Sequence, residues 1–361
     1  MKANKLNKNI NRIHLIFIIS LLCILPLLFL SCSRVNPTPE EEVVTTKDNF
    51  ISKTDFLLNT VVTINLYDKQ EEALIDGSFD LIKKYELIYS RTNENSELYA
   101  LNHQMAPTLT GKRLTYTLSE ELADVLKFAL SYSKLSDGAF DLTVAPLTSL
   151  WNFQVSEPSL PDDKQLNQAL PLVDYNNVQL SGREITYAKE GIGIDLGAIA
   201  KGYIADRVKE YLIKNGVKSA LINLGGNLLC IGSKPDNIPF QIGIQKPYAD
   251  RNETIATMEI SDLSVVSSGV YERFFELDGK FYHHILNPKT GYPYDNGLIS
   301  VTIISEKSVD GDGLSTSCFA LGLDKGLQLI DRLPNTYAVF ITKDYKLHYS
   351  SDFESAIRIL P

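Results

Sequence analysis

Cysteine, tryptophan, methionine and histidine are all scarce in this sequence: four, one, three and five among 361 residues. Basic residues are also in deficit, 35 Lys and Arg against 44 Asp and Glu. A nucleic-acid binder needs a basic footprint, so that class is excluded. No apolar run is long enough for a spanning helix. The best, Leu15 to Leu30, falls short of the ~20 residues required and is interrupted by Pro26. A Walker motif is missing, and the glycine spacing fits no dinucleotide fingerprint. A regular βαβ rhythm is missing too, which argues against a doubly wound sheet.

What is present begins with an address. Lys2, Lys5, Lys8 and Arg12 form a basic start without acidic residues, the apolar run follows, and small Ser31 precedes Cys32. This is the pattern of a lipoprotein signal, with lipid expected on Cys32 and residues 1–31 removed. Phe29 stands where Leu is usual. An ordinary cleaved signal and an uncleaved anchor are the alternatives. Losing the four cations leaves 31 basic against 44 acidic residues, a charge of -13. Residues 32–50 are rich in Pro, Glu and Thr and read as a flexible tether. A domain over 51–361 follows. Cys230 and Cys318 sit in apolar contexts, so both are expected buried and free, a disulfide between them being the weaker alternative.

Strands and helices alternate irregularly along that domain. Val62, Ile64 and Leu66 follow strand period, and Ile75, Phe79, Ile82 and Tyr89 follow helical spacing. Thr117 to Glu120, T-L-S-E, resembles a capping box. Val178–Ala188 predicts a hairpin at Ser181-Gly182, and Phe274–Ile285 one at Asp278-Gly279. Ile199, Tyr203, Val208 and Leu212 predict a helix stopping near Gly216. Leu298–Ser305 predicts a strand, Leu314–Leu321 a helix and Tyr337–Ser350 a final hairpin. The fold class is therefore α+β.

Four runs could carry chemistry. Gly191 to Gly202 ends G-I-D-L-G-A-I-A-K-G and reads as a strand closing at Asp195, then a helix opening suited to an anion, with Lys201 as a cation. A tight strand-to-helix turn with a capping Asp explains it equally well. Asn223 to Asn227, N-L-G-G-N, is either a turn beneath something bulky or a plain hairpin turn. His283 and His284 are adjacent, so on a strand only one can face a given site. Gly311 to Thr316, G-D-G-L-S-T, reads as a helix opening with Asp312 and Thr316 on one face. A carboxylate and a hydroxyl suit Mg²⁺, while an N-capping Asp is the plain alternative.

Together these runs resemble one family, the FAD:protein FMN transferases, or ApbE family of flavin transferases. Its landmarks occur in order from about Asp55 onward. They are Ser96-Glu97-Leu98 with Leu101-Asn102; Gly138-Ala139-Phe140-Asp141 with Val144 and Pro146-Leu147; Asp195 to Gly202; Gly225-Gly226-Asn227; Ser268-Gly269 with Tyr271-Glu272-Arg273; His284-Ile285 with Pro288 and Thr290-Gly291; and Asp312 with Leu314-Ser315-Thr316.

The resemblance implies a Mg²⁺-dependent transfer of FMN from FAD to a Thr or Ser hydroxyl of an acceptor protein, releasing AMP. It implies Mg²⁺ ligands at Asp312, Thr316 and the Ala198 carbonyl, with Ser315 beside them. It implies FAD contacts at Asp195, Lys201, Ala139, Phe140, Asp141, His284 and Ile285. Leu58 and Thr92 match further contact positions, where Met and Tyr are usual. Asn287 and Gly311 replace a usual Asp and Ala. His284 and Asp312 are the candidate catalytic groups, either one a candidate base. The implied acceptors are extracytoplasmic subunits of redox complexes such as sodium-pumping NADH:quinone reductase and Rnf-type complexes. An FAD pyrophosphatase and a flavin binder without turnover are the rival readings.

Overall fold

The computed structural model describes residues 49–360 apart from 106, 111–112, 154–156 and 251. The signal, Cys32 and nearly all of the tether lie outside the described residues. Phe50, which composition assigns to the tether, packs on Tyr67 at 4.8 Å between ring centroids.

Apolar alternation builds the largest sheet. It contains β1 (Ile51–Leu57), β2 (Thr60–Leu66), β7 (Ala220–Leu224), β8 (Asn227–Ile231), β11 (Ser264–Gly269), β14 (Leu298–Ser305), β15 (Tyr337–Thr342) and β16 (Leu347–Tyr349), adjacent in that order. Every neighbouring pair is antiparallel. Three smaller sheets complete the strands: β3 (Thr108–Thr110), β4 (Arg113–Thr117), β6 (Glu184–Tyr187) and β5 (Val178–Ser181); β17 (Arg358–Leu360), β10 (Thr254–Ile260) and β9 (Phe240–Gln245); and β12 (Phe274–Leu277) with β13 (Lys280–His283). All eight residues of β14 are buried, as its apolar run requires. The expected α+β class is what the chain adopts.

The predicted helices form, with instructive shifts at their starts. Residues Glu72–Tyr89 are helical and bury Ile75, Phe79, Ile82 and Tyr89. The capping box lies two residues later than the sequence suggests. Thr117 ends β4, and Ser119 caps the helix Glu120–Leu135 by accepting from Leu122 N–H. The reciprocal acid is Glu97, whose Oε1 accepts from Ser119 N–H at 2.7 Å. Gly193–Asp195 is not a strand. Gly193 makes an isolated parallel bridge to Val144, and the Asn102 amide holds both the N–H and the carbonyl of Ile194, at 2.7 and 2.8 Å. The helix after β14 begins at Ser308, six residues before the predicted Leu314, so Asp312 lies inside it and caps nothing. The hairpins at Gly182 and Asp278-Gly279 are present. The β15–β16 hairpin is followed by a further helical turn and β17. Cys230 and Cys318 are buried and free.

Candidate active site

Two helices, Ala200–Lys214 and Ser308–Leu321, cross closely enough for backbone to touch backbone. A Cβ at Gly202 would lie 2.2 Å from the Ser308 carbonyl oxygen, so only glycine fits. One turn on, buried Asp206 accepts from Ser308 N–H at 2.8 Å and Val309 N–H at 3.0 Å. It caps the second helix from the first, because Lys307 at the N-cap provides no side-chain bond. Burial pushes the Asp206 carboxyl up to about 6 against those two donors.

The crossing also holds Asp312. Its Oδ2 accepts from Gly202 N–H at 2.6 Å and its Oδ1 from Asn227 Nδ2 at 3.0 Å. Burial raises the Asp312 pKa, opposed chiefly by the Lys201 ammonium. Beside it, Ser315 Oγ and Thr316 Oγ1 both meet Ser268 Oγ, at 2.8 and 3.2 Å. Ala198 precedes the first helical residue, Ala200, and the Gly202 N–H that could reach back to its carbonyl is engaged by Asp312. The side chains brought together are thus one carboxylate and two hydroxyls, all hard oxygens. Such a set fits Mg²⁺, which takes one or two carboxylates and completes its shell with water and phosphate oxygens. Among the described residues no cluster of three or more His, Cys, Asp or Glu could hold a metal, so softer, ligand-rich sites are not on offer.

The two histidines separate cleanly. His283 uses both nitrogens: Nε2 contacts the Tyr294 carbonyl at 2.9 Å and Nδ1 accepts from Ile285 N–H at 3.3 Å. It is a structural residue. His284 lies just past the end of β13, and its Nδ1 contacts the Arg273 carbonyl at 3.2 Å. A carbonyl only accepts, so Nδ1 carries the proton and Nε2 is the basic nitrogen. Burial above all lowers the His284 pKa to about 4; the hydrogen bond to the Arg273 carbonyl works against it, and the nearby charges of His283, Arg273 and Lys201 work with it. The Lys201 ammonium therefore acts on both Asp312 and His284. Ile285 is buried in the core.

The remaining expected contacts are spread over neighbouring loops. Asp195 accepts from Thr148 Oγ1 at 2.8 Å and Gly197 N–H at 2.8 Å, and lies 3.3 Å from Arg91 Nε. Exposed Thr92 adjoins that arginine. Leu58 occupies the β1–β2 turn at φ 54°, its N–H bonded to Glu86. The Ala139 carbonyl accepts from Tyr294 Oη at 3.0 Å, and Phe140 is buried. Asp141 is saturated by Thr143 and by Tyr175 N–H, and so organises its loop. It lines a cleft of about 410 Å³ with Tyr175 and Lys289; Asp312, Lys201 and His284 do not line that cleft. The sequence reading gave no role to Asn102, Arg91, Asp206, Asn227 or Ser268. Three of these sit in the runs already singled out. Asp206 had a signal of its own, an acid on the buried face of an amphipathic helix.

Comparison with known proteins gives a consistent result. The model of the ApbE family matches residues 58–341. A Klebsiella pneumoniae FAD:protein FMN transferase is 39% identical over 297 residues, 82% of this chain and 90% of that one. The Treponema pallidum FAD:protein FMN transferase is 32% identical over 330 residues, 86% of this chain and 89% of its own. Among solved structures, the ApbE protein of Thermotoga maritima superposes with a TM-score of 0.76 at 30% identity, covering 86% of this chain and 99% of its own. The flavin transferase ApbE of Vibrio cholerae gives 0.75 at 26% identity, covering 85% and 98%. This chain belongs to the ApbE family.

Proposed function

We propose that the protein transfers FMN from FAD to a Ser or Thr hydroxyl of an acceptor protein, with AMP as the leaving group. The acceptor oxygen forms a bond to the FMN phosphorus, the pyrophosphate bond breaks, and the hydroxyl proton passes to a base. The observation that carries this reading is the oxygen-rich cradle at the helix crossing, where Asp312, held by Gly202 N–H and Asn227, stands with Ser315 and Thr316 around Ser268. A carboxylate and hydroxyls so placed suit a metal at a pyrophosphate. Asp312, Thr316 and the Ala198 carbonyl would hold Mg²⁺, with Ser315 beside them. When bound, that ion supplies charge neutralisation at the pyrophosphate.

His284 is favoured as the base over Asp312. Its Nε2 is unprotonated at neutral pH, while both Asp312 oxygens already accept hydrogen bonds. Lys201 opposes protonation of the ring, and the negative pyrophosphate favours it. Asp195, Lys201 and the loop around Phe140 are assigned to FAD.

The signal pattern supports lipidation of Cys32 and an extracytoplasmic enzyme held at a membrane. The acceptors would then be extracytoplasmic subunits of redox complexes, including NADH:quinone reductase and Rnf-type complexes. Co-expression with such a subunit, followed by mass spectrometry, tests the proposal. Covalent FMN on a Ser or Thr is expected. Release of FMN and AMP from FAD with no adduct on the acceptor would assign the site to hydrolysis instead.

A further inference from the structure

The N-L-G-G-N run has no part in the reaction described above, yet the fold delivers its last residue to the centre. Gly225 and Gly226 have φ of 62° and 91°, forming a two-residue turn between β7 and β8. A Cβ at Gly225 would meet Thr60 Oγ1 at 2.2 Å. Asn223 closes the turn by accepting from Gly226 N–H at 2.8 Å. Asn227 is thereby the first residue of β8, and it is 1% exposed.

Its amide is used at both ends. Oδ1 accepts from Ser308 Oγ at 2.7 Å, and Nδ2 donates to Asp312 Oδ1 at 3.0 Å. An amide turned the other way would set its own oxygen against an oxygen of Asp312, two acceptors with no hydrogen between them. Asp312 therefore selects the orientation of the amide, and Ser308 Oγ, bonded to Oδ1, holds the group in place. Gly202 N–H holds the second oxygen at 2.6 Å. Each carboxylate oxygen has one fixed donor and keeps a lone pair free, so the plane of the group is set before any ligand arrives.

We infer that Asn227 is a positioning residue that orients Asp312 for the metal, and that Ser308 holds Asn227 in turn. The inference rests on the reading of Asp312 as a metal ligand. The relay is a main-sheet hairpin acting on a helix, and it explains why the turn must be as tight as two glycines allow. Its effect is on metal affinity first and on turnover through it.

The test uses Mn²⁺ as the probe, titrated into the FAD-loaded protein without acceptor and followed by electron paramagnetic resonance. Asn227→Leu should weaken Mn²⁺ binding about 10- to 100-fold, the usual effect of removing an outer partner of a ligand. Ser308→Ala should weaken it less, and should add nothing in the Asn227→Leu background, because both act through one amide. Melting curves report whether each variant folds. Wild-type Mn²⁺ affinity in Asn227→Leu, with binding lost in Asp312→Asn, would overturn the relay and leave the ligand assignment standing. Wild-type affinity in Asp312→Asn would instead remove the reading beneath it. Should Asn227→Leu not fold, Ser308→Ala decides: unchanged affinity there overturns the relay.

Discussion

His284 shows how one hydrogen bond assigns chemistry. Because Nδ1 donates to the Arg273 carbonyl, the acid-base work proposed for this ring would fall to Nε2, and burial lowers the pKa to about 4. Transfer should accordingly hold its rate from pH 8 to about 6 and fall only as pH approaches 4. A kcat/KM profile with acceptor in excess checks this, since that ratio reports the free enzyme. A half-fall near 6.5 would mean that the ring is solvated. His284→Ala should lower transfer by about 10²- to 10⁴-fold while FAD still binds. At Asp312, Asp312→Asn keeps the size but removes the charge, and its amide nitrogen would face one of the two donors that the carboxylate accepts from. Turnover should drop by roughly 10²-fold or more across a Mg²⁺ titration. Thr316→Val should be milder, because water can replace a neutral ligand. Near-normal transfer by Asp312→Asn would end its assignment to the metal. In the sequence the candidate residues were legible as types in ordered runs. Strand alternation alone did not separate His283 from His284, because it does not extend past the end of β13; the motif resemblance did, by singling out His284.

At the scale of elements, the two crossing helices make stability and chemistry one problem. Alanine normally gains about 1 kcal/mol over glycine inside a helix. At Gly202 the added carbon would press on a backbone oxygen that cannot swing aside. Overpacking of that kind costs about 1–3 kcal/mol, so the clash wins. Gly202→Ala should melt lower and also transfer more slowly, since parting the helices withdraws the N–H from Asp312. A lower Tm with unchanged transfer would uncouple the two. Asp206→Asn tests the borrowed cap. The Asp206 pKa is raised when folded, so the native state binds the extra proton and the wild type gains stability as pH falls. The stability advantage of wild type over Asp206→Asn should therefore grow between pH 6 and 4. A pH-independent difference in denaturant titrations would contradict the burial argument. The same cap explains a misread boundary. S-V-D-G-D-G looks like a loop because it holds two glycines and no local cap, and the acid that starts the helix lies 102 residues earlier in the chain. T-L-S-E misled for the same reason, its partner Glu97 belonging to another helix.

At the scale of the whole molecule, the strands announced themselves through apolar alternation. The order in which they join did not, because pairing such as β2 with β7 and β8 with β11 depends on contacts far apart in sequence. No helix among the described residues is long and apolar enough to cross a membrane. Cys32→Ala should move the protein from the membrane fraction to the soluble one without loss of transfer by the purified enzyme, since stable attachment requires more than one acyl chain. Retention after a salt wash would point to another anchor. The centre itself depends on main-chain atoms. The Gly202 N–H fixes Asp312 and the Arg273 carbonyl fixes His284, while the Ala198 carbonyl would serve the metal proposed above. A library of side-chain substitutions reaches these groups only indirectly, as at Gly202: Arg273 could change its side chain and still hold the imidazole. Replacing one amide by an ester, through semisynthesis, would delete a single N–H or weaken a single carbonyl. Drift in the sequence can therefore rewrite much of the lining of this centre while its skeleton keeps the same proton and the same carboxylate in place.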